Sequence, residues 1–163
     1  MSLSNNDIMR RTRYTFDFSD SEMIAIFASA DHQVTRAQIS DWMKKETDTA
    51  YQVCDDPSMA IFLNGLINTK RGKKEGAQPE IEQQLTNNII FRKLKIALNL
   101  TAEGVIEFLE LADHSISKHE LSAFFRKPTH KHYRQCQDQI LRKFLQGMQQ
   151  KIRPEASSVW PAV

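Results

Sequence analysis

Apolar residues recur along this chain at helical spacing, in short runs that each follow a capping signal. The clearest run is Ile90, Phe91, Leu94, Ala97 and Leu98, which fall at i, i+1, i+4, i+7 and i+8 and define one helical face. The matching stretch nearer the N-terminus predicts a helix from about Asp7 to Asp17, with Asn5 or Asn6 as its N-cap. A second helix is expected behind Ser19-Asp-Ser-Glu22, a capping box in which the Ser oxygen and the Glu carboxylate each accept a free backbone N–H. Its inward residues are Met23, Ile24 and Phe27. A third opens at the box Thr35-Arg-Ala-Gln38, with Ile39, Trp42 and Met43 inside. A fourth begins near Asp56-Pro57, read as an acidic N-cap before a proline at the first helical position, and buries Met59, Phe62, Leu63, Leu66 and Ile67.

The whole pattern then repeats. Adding 82 to each number from Asn5 to Ile67 gives Asn87 to Gln149, aligned over 63 positions without a gap. Identical pairs include Asn5/Asn87, Asn6/Asn88, Asp31/Asp113, His32/His114, Tyr51/Tyr133, Cys54/Cys136 and Gly65/Gly147. The second copy has a Thr101 cap before Val105, Ile106, Leu109 and Ala112. The box Ser117-Lys-His-Glu120 then precedes Leu121, Phe124 and Phe125, with Pro128 as the stop. The last run is Ile140, Leu141, Phe144, Leu145 and Met148. A unit this small has a marginal core alone. The expected fold is therefore all-α: a tandem duplication of a four-helix unit with helix-turn-helix-like elements, packed as one compact pseudo-symmetric helical protein. The expected parts are repeat 1 at 5–67, a basic linker at 68–86, repeat 2 at 87–150 and a tail at 151–163. Gly65 and Gly147 stand inside helices, where glycine costs about 1 kcal/mol against alanine; their recurrence predicts a close backbone neighbour. A helical turn at Glu80–Leu85 and docking of Trp160 into a groove are further expectations, whereas Met1-Ser2-Leu3 is given no structural role.

Composition changes this picture in one respect. Five glycines and five prolines in 163 residues favour helices over turn-rich β structure. The apolar runs are too short to span a membrane, and a cytoplasmic protein with reduced thiols is expected. The net charge of +2 is unevenly placed. Residues 1–67 hold 6 Lys/Arg against 10 Asp/Glu, net −4, and residues 68–163 hold 16 against 10, net +6. The second half thus suits an anionic partner.

The duplicated unit, the Asn-Asn start of each copy, the linker RGKKEG and the stretch SKHELSAFFRKP together resemble the YehS-like family of uncharacterised bacterial proteins. The resemblance covers about residues 5–150. It implies a small, mostly helical cytoplasmic protein and brings no activity, substrate or catalytic residue with it.

Four groups of residues invite a chemical reading. Met23–Lys45 has the pattern of a helix-turn-helix unit, although its turn is long and lacks glycine. In the second copy Lys118, His119, Ser122 and Arg126 would lie on the exposed face of the third helix, with Lys127 and Lys131 nearby for phosphate. The linker cations Lys70, Arg71, Lys73 and Lys74, interleaved with glycine, also suit phosphate but lack the P-loop spacing. His130, His132 and Cys136 are zinc-ligand types, yet the first copy has Asp48, Ala50 and Cys54 there, and surface histidines beside a buried thiol is the plainer reading. Asp31-His32 and Asp113-His114 have no nucleophile near in sequence and read as turn residues. No catalytic residue, metal or cofactor is assigned, and no enzyme activity is expected. Two kinds of partner follow: nucleic acid, bound by the helix-turn-helix-like unit and linker, or a protein partner or second copy held at the surface between the repeats.

Overall fold

The computed structural model describes residues 2–155. Those residues form eight helices and no strand: α1 (Asn5–Phe16), α2 (Asp20–Ser29), α3 (Arg36–Met43), α4 (Asp56–Arg71), α5 (Asn87–Ala97), α6 (Ala102–Leu111), α7 (Lys118–Ala123) and α8 (Asp138–Ile152). The chain divides into two units. One is Ser4–Leu85, with α1–α4; the other holds the chain from Thr86, with α5–α8, together with Leu3. The expectation for Trp160 falls outside the described residues.

The capping boxes at Ser19, Thr35 and Ser117 form as expected, and Thr101 caps α6. The first helix of each unit differs. Its N-cap is Ser4 or Thr86, and the two asparagines lie inside the first turn. This frees their side chains for a longer reach. The Asn6 amide donates to the carbonyls of Trp42 and Gln52 at 3.0 and 2.8 Å, and its oxygen accepts the Cys54 N–H at 2.9 Å. Asn88 repeats all three bonds with Phe124, Arg134 and Cys136, at 2.9, 2.8 and 2.9 Å. Each asparagine is buried and joins the first helix, the end of the third and the entry to the fourth.

Asn5 and Asn87 fasten the same entry. They donate to the carbonyls of Cys54 and Cys136 and, at 2.7 Å, to the carboxylates of Asp56 and Asp138. Asp56 is therefore not the cap of α4; Asp55 is, accepting Ser58 N–H at 2.9 Å. The other oxygen of Asp56 accepts Leu85 N–H at 2.8 Å, and that of Asp138 accepts Leu3 N–H at 3.0 Å. Leu3 thus has a structural role that its position before the first repeat did not suggest. The Asn87 bond first, and the Leu3 N–H after it, hold the Asp138 carboxyl below its ordinary range.

The third helices end early. α7 stops at Ala123, well before Pro128, because the Phe124 carbonyl is taken by Asn88. α4, in contrast, continues through Asn68–Arg71 to a Gly72 cap with φ of 91°, so the linker proper is shorter than 68–86. Glu80–Leu85 is not helical. Asp31 and Asp113 adopt the left-handed conformation at φ 60°. Their N–H groups reach back to Ala28 and Glu110, and those of His32 and His114 to Phe27 and Leu109. This is a Schellman turn carried by backbone, with aspartate in the usual place of glycine.

The core of the first unit centres on Phe27, which lies against Trp42 at 5.5 Å and Phe62 at 5.7 Å. In the second, Phe144 meets Phe91 at 4.8 Å and Phe108 at 5.6 Å. Ile26 and Phe108 are buried, whereas the expected Ile24 and Ile106 are only half-buried. The reason is the helix pair α2–α4, and likewise α6–α8. A Cβ at Gly65 would sit 2.1 Å from the Ile26 carbonyl oxygen, and one at Gly147 would sit 1.7 Å from that of Phe108. The expected close backbone neighbour is present in both units.

Two stability changes follow. Gly147→Ala should cost about 3 kcal/mol or more, beyond the ~1–3 typical of overpacking, because the obstacle is backbone and outweighs the ~1 kcal/mol propensity gain. Gly104→Ala, facing side chains alone, Leu100 at 3.2 Å and the Thr101 hydroxyl at 3.6 Å, should instead be neutral or stabilising by up to about 1 kcal/mol. Chemical denaturation of the two variants checks the contrast. Asn88→Ala should strip partners from three buried backbone groups, at about 1–3 kcal/mol each, and leave little folded second unit by circular dichroism.

Candidate functional site

The second unit carries a cleft of about 850 Å³. Its walls come from the turn before α7, from α7 itself and from the segment 131–137 that Asn88 ties down. Three cations line it, Arg126, Lys131 and Arg134, with His114, His119 and His132. The one carboxylate is Glu120, already engaged in the capping box by Ser117 N–H at 3.2 Å. The Ser117 bonds first, and then the nearby Arg134 and His114, hold the Glu120 carboxyl below its ordinary range. The cleft therefore carries more positive than negative charge. Arg126, Lys131 and Arg134 make no salt bridge among the described residues.

The first unit has the same backbone frame with different chemistry. Ala37, Thr49, Ala50 and Gln52 stand where the second unit has His119, Lys131, His132 and Arg134. The counterpart of Arg126 is Lys44, and its ammonium is paired to Asp41 at 2.6 Å. Asp41 itself aligns with Ala123. Loss of one carboxylate and gain of two cations turn a neutralised surface into a basic cleft.

Beside the cleft lies a smaller cavity of about 90 Å³. The two share Phe124, Arg126 and Tyr133, and the smaller adds Ile89, Arg92, Phe125 and Pro128. Here too the first unit is acidic. Asp7 replaces Ile89 and pairs with Arg10 at 3.5 Å, and Glu46 replaces Pro128. Burial first, and then Glu46 and Asp7, push the Tyr51 hydroxyl above its ordinary value.

The ten residues singled out in the sequence are divided between the two units. Of the linker set, Lys70 sits 4.1 Å above the Phe16 ring and Lys73 bridges to Asp31 at 2.7 Å, both within the first unit. Arg71 and Lys74 are exposed. In the second unit His119, Arg126 and Lys131 line the cleft. Lys118 is paired with Glu103, Ser122 bonds the His119 carbonyl at 2.8 Å, and Lys127 is exposed outside the cleft. Because α7 ends at Ala123, Arg126 lies on the following bend and shares no helical face with Lys118. Arg92, Tyr133 and Arg134 join the site without having been assigned to it from the sequence, and so does His114, read there as a turn residue. Position-by-position comparison of acids and bases between the two copies was the signal that could have found them.

His130, His132 and Cys136 do not converge. The segment is not helical, His130 Nδ1 accepts the His132 N–H at 3.0 Å, and the Cys136 thiol is buried facing the Gln137 carbonyl at 3.6 Å. No group of three or more His, Cys, Asp or Glu among the described residues could hold a metal ion. No described helix is long and apolar enough to cross a membrane.

The family described as "Protein of unknown function (DUF1456)" matches residues 5–72 and 87–153. The chain belongs to this family. Both matches of the DUF1456 unit run to the true ends of α4 and α8, a few residues beyond the repeat read from periodicity. The chain is also 39% identical over 145 residues to "Uncharacterized protein YehS" of Escherichia coli (strain K12), covering 88% of this chain and 93% of that protein. No solved structure matches it significantly.

In this DUF1456 chain the paired thiols of Cys54 and Cys136 are free and buried, one in each unit. Burial first, and then neighbouring aspartates, push both from 9.0 to about 12. Neither should react with a thiol reagent at pH 8 unless the protein is unfolded. Between pH 9 and 12 the unfolded thiols lose their protons first, so stability from this source should fall as pH rises through that window. Alkylation rates and denaturation midpoints across the window check the sign.

Proposed function

We propose that the second unit binds nucleic acid, without catalysis, through the cleft formed by Arg126, Lys131 and Arg134. The observation that supports this reading is the contrast between the copies. Where the first unit pairs Lys44 with Asp41, the second has Arg126 beside Ala123 and adds Lys131 and Arg134. Three cations against one carboxylate, gathered in one concavity, give the excess of positive charge that a chain of phosphates requires. The charge split along the sequence points the same way, and Lys127 is an exposed cation of the same unit able to add a contact.

Fluorescence polarisation with a labelled mixed-sequence oligonucleotide, at several salt concentrations, tests the reading. Affinity should fall steeply with salt, by a log–log slope of about 0.7–0.9 per phosphate contacted. The pair Arg126→Ala/Arg134→Ala should lower that slope by roughly 1 to 2, and Lys44→Ala in the first unit should leave it unchanged. Absence of association at tens of micromolar protein, on single-stranded and duplex probes alike, would overturn the proposal. A stable dimer or a recovered protein partner would then favour the interaction-surface reading.

A further inference from the structure

We infer that the nucleic acid taken by this cleft is single-stranded, and that one of its bases sits in the small cavity bounded by Tyr133, Phe125 and Pro128. The inference rests on the cleft being a nucleic-acid site at all, and its test separates the two ideas.

Three observations carry it. The first concerns shape. The three cations line a concavity of about 850 Å³ rather than a projecting element. Duplex sequence is read by an element that projects into a groove, whereas a single strand can follow a concave wall. The second concerns α7. Reading a duplex through its major groove requires a helix that enters the groove with free side chains along one face. α7 has six residues, which is about 9 Å at 1.5 Å per residue. Its Lys118 is held by Glu103, and its Ser122 is occupied with its own backbone. Six residues, 112–117, separate it from α6, longer than the 3–4-residue turn of DNA-binding helix pairs. That geometry does not serve major-groove reading.

The third observation is the cavity itself. Single-strand sites combine backbone cations with aromatic faces on which bases stack. Here the two features meet in shared walls: Phe124, Arg126 and Tyr133 border both the basic cleft and the small cavity. The cavity, about 90 Å³, is bordered by the rings of Phe124, Phe125 and Tyr133. Arg92 and Arg126 stand at its edge with no salt bridge among the described residues. Their guanidinium planes can stack on or bond to a base. The same place in the first unit is closed to this use. Asp7 neutralises Arg10, and Glu46 adds a second carboxylate near Tyr51.

The first unit therefore supplies the test. Ile89→Asp introduces the residue found there, at the third position of a helix capped by Thr86. Asp7 at that place in α1 completes a capping box, so the variant should fold, and its melting curve checks that it does. Wild type and variant are titrated with a fluorescent single-stranded 12-mer and with the same sequence as a duplex, at one salt concentration. The single strand should bind wild type at least ten-fold more tightly than the duplex. Ile89→Asp should weaken single-strand binding at least five-fold and the weak duplex binding distinctly less. Tyr133→Phe, which keeps the ring, should retain the preference. Duplex binding as tight as single-strand binding would overturn the inference while leaving the cleft a nucleic-acid site. Undiminished single-strand affinity in a folded Ile89→Asp variant would overturn the base cavity. Failure of both probes would remove the nucleic-acid reading itself.

Discussion

A single side-chain amide holds each unit together. Asn6, and Asn88 after it, each exchange three hydrogen bonds with backbone groups that no helix ladder supplies. Two are carbonyls at the end of the third helix and in the loop after it; the third is the N–H of the buried cysteine. Without that amide the loop would bring unsatisfied polar groups into the interior, each costing about 1–3 kcal/mol. With it, an irregular segment that opens with Tyr51 or Tyr133 is as fixed as the helices around it. The cleft depends on this. Arg134 gives its carbonyl to Asn88 and its N–H to Ala123, so its side chain leaves from a backbone pinned on both sides.

The second constraint is the contact between α2 and α4, and between α6 and α8, where glycine lets one helix rest on the carbonyl of another. Close approach at that point leaves the remaining core to be filled by exchange of volume between elements. Phe27 aligns with Leu109, and Met9 with Phe91. The second helix keeps a ring, shifted one position to Phe108, the first helix gains Phe91, and Phe124 replaces the larger Trp42, while Phe62 and Phe144 stay in place. Cores tolerate such trades when total volume is kept, which explains how two sequences of limited identity hold one frame.

Much of that frame is legible in the sequence, because its signals are local. Capping boxes, helical apolar stripes and the interior glycines each report on a few neighbouring residues or on one unavoidable close contact. What escapes are bonds across long separations. Asparagine at a helix start reads as a cap, since a cap is the nearest use for it; nothing in the sequence near Asn88 announces a loop 36 to 48 residues away. The same gap hides the site. Lys118 looks available until Glu103 is placed against it, and Arg134 looks like one surface charge among many until the loop is fixed. Charge totals point to the more basic half of the chain, but not to how its cations are grouped.

The bond from Leu3 to Asp138 bears on the order in which the protein can be completed as it is made. The first unit needs only the segment up to Leu85, which leaves the ribosome directly after it. The second unit uses Leu3, which precedes both repeats and so waits for its partner until Asp138 has emerged. A residue made ahead of the first repeat finds its place only with the second.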